Sequence, residues 1–371
     1  MDTVNKGSKE LLQEVVNTGL CCLCGACTGG CPYLVPNNGR IVATDNCTLS
    51  EGQCYKYCPR IYTDMNALSQ QIFGVPYSGD EIGIGKEIFL ARSTDKEIRK
   101  NGQDGGTVTT LLTVALSEGI IDGVVETKMS DDKIPHGFIA RNKEELRNCA
   151  GVSYEPSPVL EALNRLPRDS TEKLGIVGVP CQVACVANMK TSPSKNRVNI
   201  NNVKLVIGLF CGWTLANGFH QFMRERFDLS RAIKFDVPHH PGHTFDVYTK
   251  SGKESVEIDE VRQYINEACS YCWDMTSEFA DISVGSGRAT YRGWNTVIVR
   301  TKTGAKLLDL AKAKRALEIQ PIPAENVDNL KRAALNKKKR ALEKIIEKSG
   351  DRKNLLYLGL SERMVDKFLV K

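Results

Sequence analysis

Four cysteines close to the N-terminus have the spacing of ligands for an iron–sulfur cluster. Cys21, Cys24, Cys27 and Cys31 follow the pattern Cys-x2-Cys-x2-Cys-x3-Cys, and Pro32 comes directly after them. In bacterial ferredoxins this run places three thiolates on one [4Fe–4S] cluster and directs the fourth toward a second cluster. The run therefore predicts a ferredoxin-like segment with a further cysteine motif downstream.

The downstream motif is present in part. Cys54 and Cys58 are separated by three residues, Pro59 follows them, and Cys47 precedes them. Because a two-cluster ferredoxin exchanges one ligand between its halves, we assign each cluster ligands from both halves. We expect the first cluster on Cys21, Cys24, Cys27 and Cys58, and the second on Cys31, Cys47, Cys54 and one more ligand.

The fourth ligand of the second cluster is open. A complete motif would have cysteines at positions 48 and 51, where the chain has Thr48 and Glu51. The second cluster is then either a [3Fe–4S] cluster on three cysteines or a [4Fe–4S] cluster completed by Glu51, Cys22 or solvent. Structural zinc is disfavoured, because it needs two Cys-x2-Cys pairs or a Cys/His set, and this segment has no histidine.

Length and composition place these cysteines in a larger globular protein. The chain has 371 residues, 14 of them Cys, with 41% hydrophobic and 25% charged residues. No secretory signal opens the sequence, and no apolar run approaches the roughly 20 residues that span a bilayer. We therefore expect a cytoplasmic protein of two or three domains, with peripheral membrane association only through a partner complex. In that compartment, spaced thiols are metal ligands or redox groups rather than disulfides.

Short apolar runs after residue 90 predict an α/β core. Strands are expected at residues 120–125, 174–179, 203–210 and 281–285, and a helix at residues 158–166. Cys181 and Cys211 come directly after two of these strands, at the edge where open α/β sheets collect their ligands. With Cys269 and Cys272 they make four thiols, which we interpret as a third cluster in preference to a tetrathiolate zinc site.

The remaining candidate ligands have simpler interpretations. Cys149 and Cys185 are expected to be structural, because free cysteine is among the most buried residue types. His239, His240 and His243 lie among prolines and are expected to form a solvated loop rather than a metal site.

A glycine-rich turn at residues 101–106 precedes an apolar helix. Backbone amides at such a helix N-terminus favour an anion or the edge of a flavin, because glycine allows close approach and the helix dipole is favourable. The alternative is a turn in which Thr107 caps a core helix. Residues 64–90, which contain four glycines and a proline, are expected to form a linker with turns.

The C-terminal part of the chain is basic. Residues 301–371 hold 18 Lys or Arg against 9 Asp or Glu, in a chain whose net charge is +6. Lys331, Arg332 and residues 337–340 lie among apolar residues at helical spacing, which predicts a helix with a solvated charged face. Docking to an acidic partner, an anionic membrane surface or an anionic cofactor tail are the alternatives. The tail has few aromatics for base stacking, which argues against nucleic acid.

The order of these motifs resembles a known family. A Cys-x2-Cys-Gly-Ala-Cys ferredoxin run is followed by Gly-Gly-Thr-Val-Thr, Gly-Val-Pro-Cys-Gln, Leu-Phe-Cys-Gly, Cys-Ser-Tyr-Cys-Trp-Asp and Gly-Trp-Asn. Between residues 20 and 305 this order is similar to the coenzyme F420 hydrogenase/dehydrogenase beta-subunit family. The resemblance implies a flavoenzyme that exchanges a hydride between coenzyme F420 and FAD, and passes electrons singly through [4Fe–4S] clusters to other subunits of a redox complex.

The resemblance also implies site residues. Residues that would line the flavin are Gln103, Asp104, Gly105, Gly106, Thr107, Val108, Thr109, Gly178, Pro180, Gly285, Ser286, Gly287 and Arg288. Many members have Ser-Gly-Gly where this chain has Asp104 and two glycines, which puts the contact of that side chain in question. Arg288, Arg292 and Arg300 are candidates, by position, for the polyanionic tail of F420. No general base is obligatory, because the cofactors carry the chemistry.

The expected architecture joins these parts into an α+β to α/β chain. Residues 1–63 form a ferredoxin-like two-cluster domain, residues 64–90 a linker, residues 91–305 an FAD- and F420-binding α/β core with the third cluster, and residues 306–371 a basic helical tail. Two alternatives to an F420 oxidoreductase stay open. One is a relay protein without flavin, and the other is a reductase of the same fold acting on a tetrapyrrole or in a glutamate-forming system.

Overall fold

The computed structural model describes residues 6–192, 198–238 and 242–370. The strands are β1 (Leu34–Asn37), β2 (Arg40–Ala43), β3 (Thr63–Asp64), β4 (Glu87–Ser93), β5 (Gly123–Met129), β6 (Pro135–Ala140), β7 (Leu174–Gly178), β8 (Val203–Leu209), β9 (Lys234–Asp236), β10 (Thr244–Thr249), β11 (Gly252–Glu257), β12 (Ile282–Ser286), β13 (Asn295–Val299), β14 (Leu317–Pro321) and β15 (Leu358–Gly359). The helices are α1 (Ser8–Leu11), α2 (Gln53–Lys56), α3 (Met65–Phe73), α4 (Lys96–Asn101), α5 (Thr107–Ser117), α6 (Lys143–Asn148), α7 (Leu160–Asn164), α8 (Pro180–Thr191), α9 (Val198–Asn201), α10 (Gly218–Arg226), α11 (Ile258–Arg262), α12 (Glu267–Ser270), α13 (Lys302–Ala313), α14 (Ala324–Ser349) and α15 (Glu362–Val370).

An eight-stranded mixed sheet forms the centre of the fold, in the order β14-β4-β13-β12-β8-β7-β5-β6. The expected α/β core is confirmed in this form. Strands β7, β8 and β12 lie within a residue or so of their predicted positions, because each is mostly apolar and mostly buried. The strand expected at residues 120–125 begins three residues later, at Gly123.

One edge of this sheet collects the segments that the sequence singled out. Strands β5, β7, β8 and β12 are mutually parallel, and β13 is antiparallel to both β12 and β4. The ends of β4, β7, β8 and β12 therefore meet the start of β13 at the same edge. Parallel sheets bind ligands at this carboxyl edge, because the loops there converge.

The N-terminal cysteine segment packs as part of the main fold. It consists of α1, which continues into a π-helical turn at Leu12–Val16, the hairpin β1–β2, and α2. Its apolar residues Leu11 and Leu34 belong to the same buried cluster as Val183 of α8 and Leu342 of α14. The segment therefore shares its core with the rest of the chain.

The structure corrects the prediction of a linker at residues 64–90. This stretch contains helix α3, whose N-cap Asp64 accepts hydrogen bonds from two backbone amides and whose C-cap Gly74 has a positive φ of 75°. Met65, Leu68 and Tyr77 are buried in the main core. The glycines that indicated a linker mark the helix end and the turns that follow it.

The structure also corrects the prediction of a separate basic tail beginning at residue 306. Helix α13 packs on α5, and β14 forms an edge strand of the main sheet. Strand β15 pairs in parallel with β3, next to the N-terminal cysteine segment. Helix α14 buries one face, which includes both Lys337 and Lys338. The expectation of a solvated charged face holds only for its other residues, such as Lys331, Arg332 and Arg340, which are exposed.

A smaller antiparallel sheet, β11-β10-β9, packs with α10 and α11 around its own apolar cluster. Lys234 of β9 donates to the carbonyl oxygens of Gly102 and Gln103, so this sheet covers the glycine-rich turn. Among the described residues, no helix combines the length and apolar character needed to cross a bilayer.

Candidate redox centre

The N-terminal cysteine loop is held by a helix of the main core. Its turns require positive φ angles at Leu23 (53°) and Gly25 (85°). The Asn164 amide of α7 donates to the carbonyl oxygens of Ala26 and Thr28, at 2.9 Å each. A Cβ at Gly25 would lie 2.4 Å from the carbonyl oxygen of Pro158, so only glycine allows this approach. The loop that carries the first thiols is therefore held by residues of the main core.

The four thiols predicted for the first cluster line one cavity. Apolar side chains such as Leu11 and Ile41 also line this cavity. The cysteines that line it are Cys21, Cys24, Cys27 and Cys58, together with Cys22 and Cys54. A thiol-lined, apolar space of this kind fits the donor set of an iron–sulfur cluster.

Burial disfavours the charged form of these thiols. It raises the pKa of Cys21 to about 11, and it raises the pKa of Cys27 and of Cys58 well above the usual value. Only the thiolate binds iron, so metal binding at these sites must release protons.

The second predicted set is brought together without its fourth ligand. Burial raises the pKa of Cys54 to about 11. Cys31 and Cys47 lie close enough to Cys54 for their charges to raise this pKa as well. Glu51, one candidate for the fourth ligand, forms an ion pair with Lys56 at 2.7 Å.

Cys22, another candidate fourth ligand, faces a different set of thiols. The neighbouring thiol of Cys181 lowers the pKa of Cys22 well below its usual value. Cys22 is also a neighbour of Cys24 and Cys58. It therefore lies between the first and third sets.

The third predicted set is also assembled. Cys181 follows Pro180 in the first turn of α8, and Cys211 follows β8, as the sequence predicts. Cys272 lies close enough to each of the other three thiols for its charge to raise their pKa values; these thiols are Cys181, Cys211 and Cys269. Burial raises the pKa of Cys211 to about 12 and also raises that of Cys269.

Two buried cations flank this third set. Lys337 of α14 donates to the carbonyl oxygen of Cys211 at 2.8 Å. Burial opposes its charge, but Cys272, Cys211 and Cys269 with Asp274 outweigh that effect and raise the pKa of Lys337. Arg60, two residues after Cys58, is a neighbour of Cys272, Cys22 and Cys181.

The thiol sets do not have the geometry of a site for a single ion. Within residues 6–192, 198–238 and 242–370, no three His, Cys, Asp or Glu side chains stand together in a way that could hold one metal ion. The ligands of a cubane cluster bind four different iron atoms.

The two segments predicted to line a flavin are adjacent. Asn295, at the start of β13, accepts from the amide of Thr107 at 3.2 Å and donates to the carbonyl oxygen of Gly285 at 3.2 Å. It therefore ties residues 103–109 to residues 285–288. Helix α5 begins at Thr107 with Gly106 as its N-cap, in a left-handed conformation with φ of 70°.

Parts of this region have structural roles. The Thr107 hydroxyl donates to the carbonyl oxygen of Ala91, so both its amide and its hydroxyl are used within the protein. A Cβ at Gly105 would lie 2.9 Å from the Ala91 carbonyl oxygen. Pro180 is buried in the first turn of α8, where its missing amide is harmless. Val108 and Thr109 are half-buried at the start of α5.

Gln103 fits a ligand-binding role. Its amide nitrogen donates to Asp236 of the smaller sheet. Its buried Oε1 has no hydrogen-bond partner among the described residues. A buried acceptor of this kind is costly unless a partner satisfies it, and a bound ring with an N–H group would do so.

The candidate arginines separate into two groups. Arg300 is 1% exposed, and its guanidinium donates to Ser283 Oγ at 2.7 Å and to the Thr276 carbonyl oxygen at 3.1 Å. The prediction that it meets an anionic cofactor tail was wrong, because the guanidinium is buried and donates to groups of the protein itself. Arg288 is half-buried, with φ of 63°, and Arg292 is exposed on the same loop.

The other predicted residues have limited roles. Cys185 donates to the Tyr57 carbonyl oxygen at 3.1 Å, and Cys149 is half-buried near Glu126, in agreement with structural roles. His239 and His240 lie outside the described residues. The amide of Ile258 donates to the backbone carbonyl oxygen of His243.

The contacts of several residues in this region could not be predicted from the sequence. Asn295, Arg60 and Lys337 act across long sequence separations, and no local pattern marks their partners. Phe210 is a fourth case, because a Cβ at Gly285 would lie 1.9 Å from its ring. The residue before Cys211 therefore packs directly on the predicted flavin loop. Its place directly before Cys211 was visible in the sequence, but its contact was not.

Comparisons with known proteins agree with the motif order. Two sequence models describe the beta subunit of coenzyme F420 hydrogenase/dehydrogenase. The model of its N-terminal part matches residues 88–164, and the model of its C-terminal part matches residues 171–325. The N-terminal cysteine run lies outside both matches.

Individual relatives extend the likeness. The beta subunit of coenzyme F420 hydrogenase from Methanothermobacter thermautotrophicus is 36% identical over 65% of this chain and 86% of its own length. An F(420)H(2) dehydrogenase subunit from Methanosarcina mazei is 29% identical over 84% of this chain and 88% of its own. A chain of the F420-reducing [NiFe] hydrogenase complex from Methanosarcina barkeri has a similar structure, with a TM-score of 0.66 and 31% identity, over 72% of this chain and 93% of that chain.

The two adjacent matches together span the sheet, the loops at its carboxyl edge and the third set of cysteines. The chain therefore belongs to the coenzyme F420 hydrogenase/dehydrogenase beta-subunit family.

Proposed function

We propose that this protein exchanges electrons with coenzyme F420 at a bound FAD and passes them one at a time through iron–sulfur clusters to other subunits. The observation that carries the proposal is a continuous series of neighbouring thiols, which leads from the N-terminal segment to the sheet edge where the predicted flavin loops lie. When bound, FAD would supply the change between two-electron and one-electron transfer.

The series has three connections. Two of them join one set of thiols to another, and the last joins the third set to the predicted flavin loop. Cys54 of the second set is an electrostatic neighbour of Cys27 in the first set. Cys22, beside the first set, is close enough to Cys181 of the third set to raise the pKa of that thiol. Cys211 of the third set is next in sequence to Phe210, whose ring packs on Gly285. The first and third sets therefore each have a neighbour on either side, and the second set is the end of the series.

The protein groups around the flavin position and enclose the site. Asn295 fixes the two loops relative to each other. Among the described residues, the buried Oε1 of Gln103 has no hydrogen-bond partner and is available to a ligand. The hydrogen bonds from Lys234 hold the smaller sheet against the glycine-rich turn. Exclusion of water by such a cover suits hydride exchange between two rings. Arg288 and Arg292 are the cations that we assign to the anionic part of F420.

The names of the relatives support an assembly. They describe subunits of an F420 hydrogenase and an F420H2 dehydrogenase, and the similar structure is part of a hydrogenase complex. We propose that this chain, too, works with other subunits, with its N-terminal segment as the exit for electrons.

The test is an iron and flavin count on the anaerobically purified chain, followed by addition of reduced F420. We expect one flavin that bleaches with reduced F420, and about 12 iron atoms if all three clusters are cubanes or about 11 with a [3Fe–4S] cluster. Absence of flavin would indicate a relay protein. A flavin that bleaches with another donor and not with reduced F420 would indicate a different substrate.

A matched pair of cysteines in α8 tests the third cluster. Cys181→Ser removes a proposed ligand and should lower the iron content by about four atoms per chain. Cys185 lies one helical turn away from Cys181. In the control variant Cys185→Ser, the serine hydroxyl can keep the hydrogen bond to the Tyr57 carbonyl oxygen. Equal iron content in both variants would contradict the third cluster.

A further inference from the structure

Two cations are buried beside the third set of thiols without a carboxylate partner. Arg60 is 5% exposed and Lys337 is 4% exposed. Among the described residues, neither cation has an Asp or Glu carboxylate oxygen within 4.0 Å of its nitrogens. Burying a charge is costly unless an opposite charge compensates it, so both cations need another source of negative charge.

Within the described part of the chain, Arg60 keeps one buried donor unused beside the thiols. Its two terminal nitrogens donate to the carbonyl oxygens of Tyr271 and Ala268, at 3.2 Å each, and its guanidinium lies 4.5 Å from the centre of the Tyr357 ring. These contacts fix the planar group. Its buried Nε has no acceptor among the described residues. The thiols around this guanidinium are those of Cys272, Cys22 and Cys181.

Lys337 approaches the same thiols from helix α14. One of its three N–H donors is used by the Cys211 carbonyl oxygen, at 2.8 Å. Asp274 is the carboxylate that acts most strongly on its charge. That carboxylate accepts from the amides of Thr276 and Glu278, at 2.8 and 2.7 Å.

The next residue of α14 shows what a compensated lysine looks like in this fold. Lys338 is completely buried and forms an ion pair with Glu278. Its Nζ also contacts the Tyr77 hydroxyl at 3.1 Å. Glu278 is therefore already paired and does not compensate Lys337. The contrast between adjacent lysines indicates that Lys337 is matched to a negative charge that the polypeptide alone does not provide.

A [4Fe–4S] cluster on four thiolates carries net negative charge, and nearby charge and hydrogen bonds to its sulfurs set its reduction potential. We propose that Arg60 and Lys337 are positioning residues that compensate the cluster on Cys181, Cys211, Cys269 and Cys272 and raise its reduction potential. This inference rests on the proposed function, since it requires that cluster. Arg60 also ties the chain that follows Cys58 to the loop of the third set, so one residue joins both sets.

The test is a redox titration of the anaerobic full chain, followed by electron paramagnetic resonance. The relevant signal is the one that Cys181→Ser removes. We expect Lys337→Met to shift its midpoint potential to a more negative value, while Lys337→Arg keeps a potential close to that of the wild type. Lys331→Met, on the exposed face of the same helix, should leave the potential unchanged. An unchanged or more positive potential in Lys337→Met would overturn the proposal.

Arg60 gives an independent arm. Arg60→Gln removes the charge and should shift the same signal to a more negative potential, whereas Arg60→Lys keeps the charge and should shift it less. If both neutral variants lose the signal but keep wild-type circular dichroism, and both charge-keeping variants retain it, the compensating role is supported. Loss in the charge-keeping variants as well would overturn it. If Cys181→Ser removes no signal from the wild type, the proposed function fails, and this outcome differs from an unchanged potential.

Discussion

The thiols of Cys22 and Cys181 lie close enough for each to shift the pKa of the other, although one belongs to the N-terminal cysteine run and the other lies in the first turn of helix α8. This contact places the first and third sets of thiols side by side. The N-terminal segment is therefore packed against the sheet edge, and it shares the main core. In the proposed function, this contact is where electrons pass from the core to the N-terminal clusters.

The position of Cys22 predicts that it is not the fourth ligand of the second cluster. Cys22→Ala should leave the iron content and the resonance signal of that cluster unchanged, because its thiol faces Cys181 and Cys24. Anaerobic iron analysis and resonance spectra of the variant provide the measurement. Conversion of a [4Fe–4S] signal into a [3Fe–4S] signal would assign Cys22 to the second cluster after all.

The buried pair between Lys338 and Glu278 should be a strong determinant of stability. Lys338→Met leaves a buried carboxylate unpaired and should destabilise the fold by about 3–5 kcal/mol. The measurement is anaerobic thermal unfolding, with Lys344→Met as the control, because its pair with Glu347 is exposed. The control should change the melting temperature little. Equal effects of the two substitutions would contradict a structural role for the buried pair.

Removal of the C-terminal residues should affect the cysteines and not only partner binding. A chain that ends at residue 323 lacks α14, β15 and α15, and with them Lys337, which donates to the Cys211 carbonyl oxygen. We expect it to lose about four iron atoms per chain. In the control, Lys331, Arg332 and Arg340 are replaced by Gln in the full chain, which removes exposed charge alone. A truncated chain with full iron content would contradict this prediction.

Gly106 and Gly119 form a matched pair of left-handed glycines. Their φ angles are 70° and 65°, but a Cβ at Gly106 would lie 2.8 Å from the Ile98 side chain, whereas nothing lies within 4 Å at Gly119. Gly119→Ala should cost about 1 kcal/mol from backbone strain alone. Gly106→Ala should cost more and should also lower the flavin content after anaerobic purification. Comparable flavin content in both variants would separate this turn from flavin binding.

Glu126 should make stability depend on pH. It is buried in β5, and burial raises its pKa from 4.5 to about 8. Between these values the folded state holds more protons than the unfolded state, so the free energy of unfolding falls as pH rises, by at most about 1.4 kcal/mol per pH unit. Glu126→Gln should remove this decline in melting temperature, and the exposed control Glu144→Gln should keep it. A decline of the same size in Glu126→Gln would assign it to another group.

Much of the core could be predicted because its signals are local. Strands β7, β8 and β12 are short apolar runs, and the cysteines that follow them stand at strand ends in the sequence itself. The parallel arrangement then brings those ends to one edge. The glycine-rich turn before α5 was equally visible, because its residues are consecutive.

The predictions that failed depended on what covers each segment. Residues 64–90 were expected to be a linker because glycine marks turns, but Met65 and Leu68 bury a helix face. Arg300 was expected at a ligand, but its acceptors come from residues 84, 276 and 283, which no local pattern connects.

The sequence by itself determined the types and spacing of the thiols, the α/β pattern and the family resemblance, because ligand spacing and apolar periodicity are properties of short stretches. Only the tertiary structure decided which thiols are neighbours, where Cys22 points, and that Lys337 is buried while Lys331 on the same helix is exposed. The reason is physical. Burial and charge compensation depend on groups that are distant in sequence and meet only when the core closes around them.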